Sequence, residues 1–204
     1  MIIIACMNLK TLIKRSQNLL LNPSSEFVSI AGEKAEVIKI NKSFVAPVAA
    51  FVAVFALIGS AISNINASAN SFIYIGINAL IVFLLVLTHS YLSGKLIGLL
   101  AKNIDPGNEP AASYALSTYS QLPFFLILAL TKLFPSLIFL IFLGLYSGIL
   151  FHTGSSNLTR IANDKRLQFT LLSILIMFAS FLICSELFTL LYSEILDQFS
   201  TFAS

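Results

Sequence analysis

Five long apolar segments constrain this chain more than any other feature of its sequence. Each is about 18 to 24 residues long, enough for a helix that rises about 1.5 Å per residue to cross a hydrocarbon core of roughly 30 Å. Inside that core a helix satisfies its own backbone donors and acceptors. The segments therefore predict an all-α, polytopic integral membrane protein with five transmembrane helices, at about residues 44–62, 72–92, 115–133, 134–151 and 169–192.

Composition argues against a soluble domain. Charged residues make up 10% of the chain, whereas a typical soluble domain holds about a quarter. The mean hydropathy is +0.92. The first residues do not resemble a cleavable signal peptide, because their apolar run is short and no basic residue precedes it. Translation from Met1 and translation from Met7 both stay open.

The basic residues predict the direction in which the helices cross. Eleven of the twelve Lys and Arg residues can be placed on one side of a membrane, and only Lys132 falls on the other. Basic residues near span ends stay on the cytoplasmic side, so the N-terminus is predicted to be cytoplasmic and the C-terminus outside. The eleven are Lys10, Lys14, Arg15, Lys34, Lys39, Lys42, Lys95, Lys102, Arg160, Lys165 and Arg166.

Three regions follow from these assignments. A cytoplasmic tail with short amphipathic helices covers residues 1–42, a five-span membrane domain covers 43–193, and a short outer tail covers 194–204. A solvated connection at 33–42 is expected to lead into the first span, and a second tail helix is expected at about 26–31.

The first tail helix has an apolar arc of roughly 120°, formed by Leu9, Leu12, Ile13, Leu19 and Leu20. Lys10, Lys14 and Arg15 face away from that arc. Two placements of this helix stay open. It lies flat in the cytoplasmic interface with its basic residues near lipid phosphates, or it packs against the inner face of the bundle.

Spans three and four are joined only by about residues 131–135. A connection this short predicts an antiparallel hairpin. Pro123 inside span three predicts a kink, because proline lacks a backbone donor and its ring crowds the preceding turn.

Two pairs of glycines four residues apart favour close helix packing. They are Gly94 with Gly98, and Gly144 with Gly148. Both pairs lie toward the cytoplasmic half, so spans two and four are expected to pack there. Such a face serves either packing within one chain, which we favour, or a homo-oligomer.

Glu186 is the one acidic residue well inside a predicted span. An intramembrane carboxylate is costly and suggests a function. It is expected near the outer interface with Lys132 as a partner. The alternative is a role in proton- or cation-coupled transport.

His89 and His152 are expected at matching depths near the inner ends of spans two and four. A shared site is therefore geometrically open, but the metal-ligand pattern is weak and interfacial packing is favoured. Cys6 and Cys184 fall in different regions and predict neither a disulfide nor a metal site. The sequence predicts no cofactor, no metal and no catalytic residue.

The order and spacing of several motifs resemble the Ypt-interacting protein (YIP) domain family. They are Pro47, Tyr119-Ser120, Pro123, Pro135, Leu145-Tyr146-Ser147, Gly154, Asp164-Lys165-Arg166 and Phe169-Thr170, after a tail segment Asn22-Pro23-Ser24-Ser25-Glu26-Phe27 similar to that of bacterial members. The resemblance implies five spans and a cytosolic N-terminus. Eukaryotic members bind Rab GTPases in early secretory membranes, generally with longer tails. This chain departs from the family at Ile149, His152 and Phe169, where tyrosines are usual.

We therefore expect a non-enzymatic membrane-organising or partner-binding module of the YIP family in a bacterial inner membrane, with early secretory membranes of a eukaryote as the alternative location. The expected partners are membrane lipids and a protein at the cytoplasmic face, with no nucleic acid. The residues predicted to make these contacts are Lys10, Lys14, Arg15, Lys165 and Arg166. A small transporter or channel that uses Glu186 and other polar span residues is the alternative function.

Overall fold

The computed structural model describes residues 9–63 and 71–203. Within these ranges every regular element is helical and no strand occurs, which confirms the all-α class. Cys6, the choice between Met1 and Met7, and the loop predicted between spans one and two lie outside the described residues.

Five helices are long and apolar enough to cross a membrane, which confirms the predicted number of spans. We number them span one to span five in chain order. Their bounds are Val37–Ser63, Phe72–Ile104, Pro110–Leu133, Pro135–Leu158 and Asn163–Leu196. The helix of span two begins one residue before the span, at Ser71, and the helix of span five continues to Ala203.

All five spans are longer than predicted at one end of the bundle. At the end where the second and fourth connections lie, each span runs five to twelve residues past the predicted bound, whereas the other ends of the spans agree within four residues. The helix of span five continues beyond its span there, to Ala203. We call the longer end the basic end. A hydropathy pattern marks only the part of a helix suited to hydrocarbon, and these helices continue beyond it because they pack on one another and on the tail.

Two short helices of the tail, α1 (Leu9–Leu21) and α2 (Pro23–Ala31), precede span one. Pro23 takes the first position of α2, where a missing backbone donor costs least. The chain is helical again from Val37, so the solvated connection predicted at 33–42 is wrong in its second half. Apolar residues continue the helix past the lysines there and give it a buried side at Ile40.

Span one contains a π-helical turn at Asn41–Val45. Such turns are rare and frequently mark functional sites. The turn brings the Asn41 side-chain oxygen to span three, where it accepts a hydrogen bond from the hydroxyl of Tyr114. Phe44, in the same turn, packs edge-on against Tyr119, with 4.6 Å between the ring centroids.

Span three is broken where the proline predicted a kink. It consists of Pro110–Ser120 and Leu122–Leu133, with Gln121 between the two parts. Pro123 has no backbone donor for the turn before it, so the break falls two residues ahead of its ring. The predicted kink is confirmed.

Span four begins in a tighter helix than the other spans. Its first part, Pro135–Leu145, is 3-10 helix, and Tyr146–Leu158 is α-helix. A 3-10 helix rises about 2.0 Å per residue, so this stretch covers more depth with fewer residues. The stretch packs against the second part of span three, which confirms the predicted hairpin.

Span three lies at the centre of the bundle, and its composition explains why. Its mean hydropathy is 1.2, against 1.9 to 2.4 for the other spans, and 67% of its apolar window is buried. Polar side chains are costly in lipid unless protein surrounds them. Spans one, two and four therefore contact it on different sides. Its buried polar residues are Ser113, Ser117, Thr118, Ser120 and Gln121.

The predicted glycine pairs lie against other helices of the same chain. Gly94 faces the ring of Tyr114, and Gly98 faces the backbone of Pro110, both in span three. Gly144 faces Phe124 of span three and Gly148 faces Ile174 of span five. The expected packing of span two on span four at these glycines is therefore wrong. The broken, polar span three takes that position instead.

Gly59 marks a close backbone approach of span one to span three, at the end opposite the basic one. A methyl group at Gly59 would overlap the carbonyl oxygen of Lys132 and come within 2.9 Å of Leu133 Cα. We expect Gly59→Ala to destabilise the protein by about 1–3 kcal/mol, because backbone atoms cannot move aside as a side chain can. Thermal unfolding in detergent measures the effect.

Gly76→Ala is the matched control, since nothing lies within 4 Å of a methyl group at that helical position. It should be neutral or stabilising by up to about 1 kcal/mol through helix propensity. Equal melting temperatures for the two variants would contradict the close approach of spans one and three.

Candidate functional site

Arg15 joins the tail to the bundle at the basic end. Its Nε donates to Glu26 Oε1 at 3.3 Å, and its Nη1 donates to the Tyr119 hydroxyl at 3.2 Å. Both of its Nη atoms also donate to the carboxylate of Glu33. Asn18 Nδ2 donates to the other oxygen of Glu26 at 2.8 Å. Arg15 was among the residues predicted to contact lipid headgroups or an acidic partner, but in the structure carboxylates of its own chain occupy it.

The guanidinium of Arg15 stays charged in this setting. Burial alone would lower the pKa of Arg15, but its hydrogen bond to Glu33 and the negative charge of that carboxylate outweigh burial and raise the pKa above its ordinary value. The side chain also lies over the ring of Tyr119, with 5.6 Å from Cζ to the ring centroid, a favourable cation–π distance. Because this pKa lies above the range of physiological pH, Arg15 keeps its charge throughout that range, and so its ion pairs are kept.

The tail is packed on the bundle rather than spread in the interface. Leu19 of α1 and Phe27 of α2 are fully buried. The hydroxyl of Tyr146 donates to the backbone oxygen of Leu20 at 3.0 Å. Phe27 fits beside Gly154, where a methyl group would lie 2.8 Å from its ring. The sequence left two placements of the first tail helix open, and in the structure this helix packs against the bundle.

A cavity of about 710 Å³ lies at the basic end beside this network. It is formed by α1, the connection after α2, the start of span one and the face of span three that carries Tyr119. Its cationic and anionic side chains are Arg15, Lys34, Lys39 and Lys42 against Glu33 and Glu36. The three lysines lie in the segment that the sequence predicted to be a solvated connection. The spacing of Lys39 and Lys42, one helical turn apart, was the available signal.

The other predicted contact residues lie outside this cavity. Lys10, Lys14 and Lys165 are exposed, and Arg166 is half-buried at the start of span five. Its Nε atom makes no hydrogen bond with the described residues. Of the five residues predicted to contact lipid or a partner, only Arg15 lines the cavity.

A second polar cluster lies at mid-height of the bundle. His89, Gln121, Ser147 and Ser180 each fall within about one residue of the midpoint of their own span. His89 Nδ1 is 3.2 Å from Ser180 Oγ, and the ring is surrounded edge-on by Phe124, Phe125 and Phe181. The sequence placed His89 toward the inner end of span two, which was predicted to end at residue 92, whereas the helix itself continues to Ile104.

Gln121 occupies the break in span three. Its Nε2 donates to Ser93 Oγ and to Ser117 Oγ, both at 3.0 Å. Its Oε1 lies near His89 but makes no hydrogen bond of normal geometry with the described residues. The sequence analysis did not single out Gln121. A glutamine two residues before an intramembrane proline was a signal that could have identified it.

A cavity of about 340 Å³ opens beside this mid-bundle cluster, between spans three, four and five. Three polar residues reach it, and no Asp, Glu, Lys or Arg side chain lines it. The lining residues are His89, Gln121, Ser147, Phe124, Phe142, Gly144, Leu145, Gly148, Ile174, Met177, Phe178, Phe181 and Leu182.

The two histidines do not share a site. His152 is exposed, and its Nδ1 lies 3.2 Å from Thr170 Oγ1. His89 contacts Ser180 on the same helix as Thr170, ten residues further along. Ten residues of helix span about 15 Å, so the matching depths expected from the sequence are wrong. Among the described residues no three His, Cys, Asp or Glu side chains are grouped to hold a metal ion.

Glu186 is exposed on span five. The ion pairs within residues 9–63 and 71–203 are those of Arg15 with Glu26 and Glu33. The expected pairing of Glu186 with Lys132 therefore does not form. Glu186 lines neither of the two cavities described above.

Comparison with known proteins finds no matching family model, no matching curated protein and no matching solved structure. The resemblance to the YIP family stays a prediction that rests on the motifs of the sequence.

Arg15 is expected to hold the tail in place. We predict that Arg15→Gln speeds hydrogen exchange of α1 and α2 by at least about tenfold, because hydrogen bonds to charged groups contribute about 1.5–3 kcal/mol each. It also leaves Glu26, which is 8% exposed, without its cation. Hydrogen–deuterium exchange with mass spectrometry on the protein in nanodiscs measures the change.

Lys14→Gln is the matched control, since it removes the same charge from the neighbouring exposed position. Exchange in the tail should stay at the wild-type rate in this variant. A similar acceleration in both variants would show that net charge, and not the Arg15 contacts, holds the tail.

Proposed function

We propose that this protein is a non-enzymatic membrane-organising module that binds anionic lipid headgroups at its basic end. The observation that carries the proposal is the basic-end cavity, in which four cations face two carboxylates. Glu33, one of those carboxylates, is already occupied by Arg15. The remaining positive charge suits an anionic ligand that the chain does not itself supply.

The depth of the lysines supports a headgroup as that ligand. Lys42 stands two residues before Phe44, where the predicted apolar segment of span one begins, and Lys39 lies one turn earlier. Side chains at this level meet the headgroup region of an anionic leaflet, where each contributes about 1 kcal/mol. Ile38 beside them is 70% exposed and offers an apolar contact to the upper part of an acyl chain.

The family and the location belong to the same proposal. We propose a bacterial-type member of the YIP family in a cytoplasmic membrane, with the basic end inside. The order of the motifs supports it, as do the five spans and the break between Tyr119-Ser120 and Pro123. Coupled transport is less favoured, because the exposed Glu186 lines neither described cavity.

Anionic lipid is expected to stabilise the protein through Lys39 and Lys42. In nanodiscs of phosphatidylcholine, adding phosphatidylglycerol should raise the melting temperature of the wild type, because a ligand that binds only the folded state stabilises it. Lys39→Glu combined with Lys42→Glu should abolish that rise. We expect the apparent lipid affinity to fall roughly fivefold or more for each lysine replaced.

Lys102→Glu combined with Lys165→Glu is the matched control. It changes the net charge by the same amount at the same end, but neither residue lines the cavity. This variant should keep most of the stabilisation. Equal loss in both variants would contradict a defined headgroup site, and no stabilisation of the wild type by phosphatidylglycerol would leave an acidic protein segment as the ligand to test.

Orientation is tested separately. A reporter that is active only outside the cytoplasm, fused after Ser204, should be active, because basic residues near span ends stay in the cytoplasm. A fusion of the same reporter after Thr159, in the connection between spans four and five, is the control and should be inactive. The reverse pattern would place the basic end outside and contradict the proposed lipid contact in the inner leaflet.

A further inference from the structure

We propose that the mid-bundle cavity binds a neutral single-chain lipid alcohol. The hydroxyl group of this ligand lies at His89 and Gln121, and its chain leaves the cavity between spans four and five. This site is distinct from the headgroup site at the basic end, and the inference does not depend on that function.

The position of the cavity indicates that its ligand comes from the bilayer. The cluster of His89, Gln121, Ser147 and Ser180 lies near the midpoints of the helices, away from both of their ends. The rim is formed by side chains exposed on the lipid-facing surface: Phe142 at 73%, Leu145 at 68%, Phe178 at 61% and Leu182 at 46%. A ligand therefore enters sideways from lipid.

The volume favours a single chain. At about 340 Å³ the cavity stands at the lower end of the range for small-molecule sites, about 300–1,000 Å³. A lipid with two acyl chains and a large headgroup does not fit in such a space. One slender chain can follow the apolar part of the lining, which includes Leu145, Phe178 and Leu182.

The polar end of the cavity selects a hydrogen-bond donor. Gln121 is 2% exposed, and its amide nitrogen is committed to Ser93 and Ser117. Its Oε1 is buried and makes no hydrogen bond of normal geometry with the described residues, the neighbouring His89 included. A buried acceptor without a partner costs about 1–3 kcal/mol, so a ligand hydroxyl that donates to it relieves this cost. His89, which also lines the cavity, supplies a second polar contact.

The lining of the cavity favours a neutral ligand. No Asp, Glu, Lys or Arg side chain lines it. A carboxylate or a phosphate at this depth would be buried without a counter-ion, at a cost far above that of an unpaired hydroxyl. An alcohol meets the hydrogen-bonding requirement without that penalty, whereas an alkane meets only the apolar one.

Photolabelling in phosphatidylcholine nanodiscs tests the inference. The probe is dodecanol that carries a diazirine in its chain, and its competitors are unlabelled dodecanol, dodecane and dodecanoate. We expect saturable labelling of spans four and five, with dodecanol competing at least about tenfold better than dodecane, the contribution of one well-made hydrogen bond. Labelling that does not saturate, or dodecanoate that competes as well as dodecanol, would overturn the inference.

Two variants locate the site. Ile174→Phe adds volume inside the cavity and should lower saturable labelling at least about tenfold. Leu175→Phe, the matched control, makes a similar addition at a neighbouring position that is 61% exposed and lines no described cavity. It should label as the wild type does. Equal labelling of the two variants would overturn the site.

Gln121→Met tests the hydrogen bond itself. It keeps an unbranched side chain of similar length and removes the acceptor, so the preference for dodecanol over dodecane should disappear while residual labelling remains. A preference kept at the wild-type ratio would overturn the assigned role of Gln121. If this variant does not fold, the pair at Ile174 and Leu175 still decides whether the cavity is the site.

Discussion

A helix rich in polar residues cannot face lipid, and the architecture of this protein follows from that constraint. Span three has the lowest hydropathy of the five and buries the largest share of its surface. Spans one, two and four pack against it, and the two tyrosines of its first part receive partners from the start of span one and from the tail. Asn41 pairs with Tyr114 and Arg15 pairs with Tyr119. The π-helical turn and the folded tail thus complete the cover of a helix that needs protein on every side.

The two candidate sites meet at the break in the same helix. Tyr119 lines the basic-end cavity, and Gln121 lines the mid-bundle cavity two residues later. Pro123 frees the turn between them from regular hydrogen bonding. A side chain at the break can therefore turn toward a cavity without leaving the bundle. One local irregularity places a charged site at the water-facing end and a neutral site in the hydrocarbon on a shared helix.

The sequence predicted the features that depend on local composition. The number of spans, their bounds at the end opposite the basic one, the hairpin and the kink at Pro123 all follow from hydropathy and proline chemistry. Features that depend on contacts between distant residues were not accessible. Arg15 is adjacent to Lys14 and carries the same charge. Only the fold brings Glu26 and Glu33 to Arg15 and not to Lys14. Likewise, a transmembrane helix must be apolar only where it lies in lipid. Hydropathy therefore could not predict that two of the helices continue to Ile104 and Leu158.

The contact between Phe27 and Gly154 has a consequence for how variants of this protein can be built. A bulky ring of the tail and a gap in span four complement each other, so the tail and the bundle share one continuous interior. The tail is therefore not an interchangeable module. A graft of a different N-terminal segment onto these spans requires a matching residue opposite position 154, and a chimaera that joins the two halves without regard to that fit carries either a void or a steric clash.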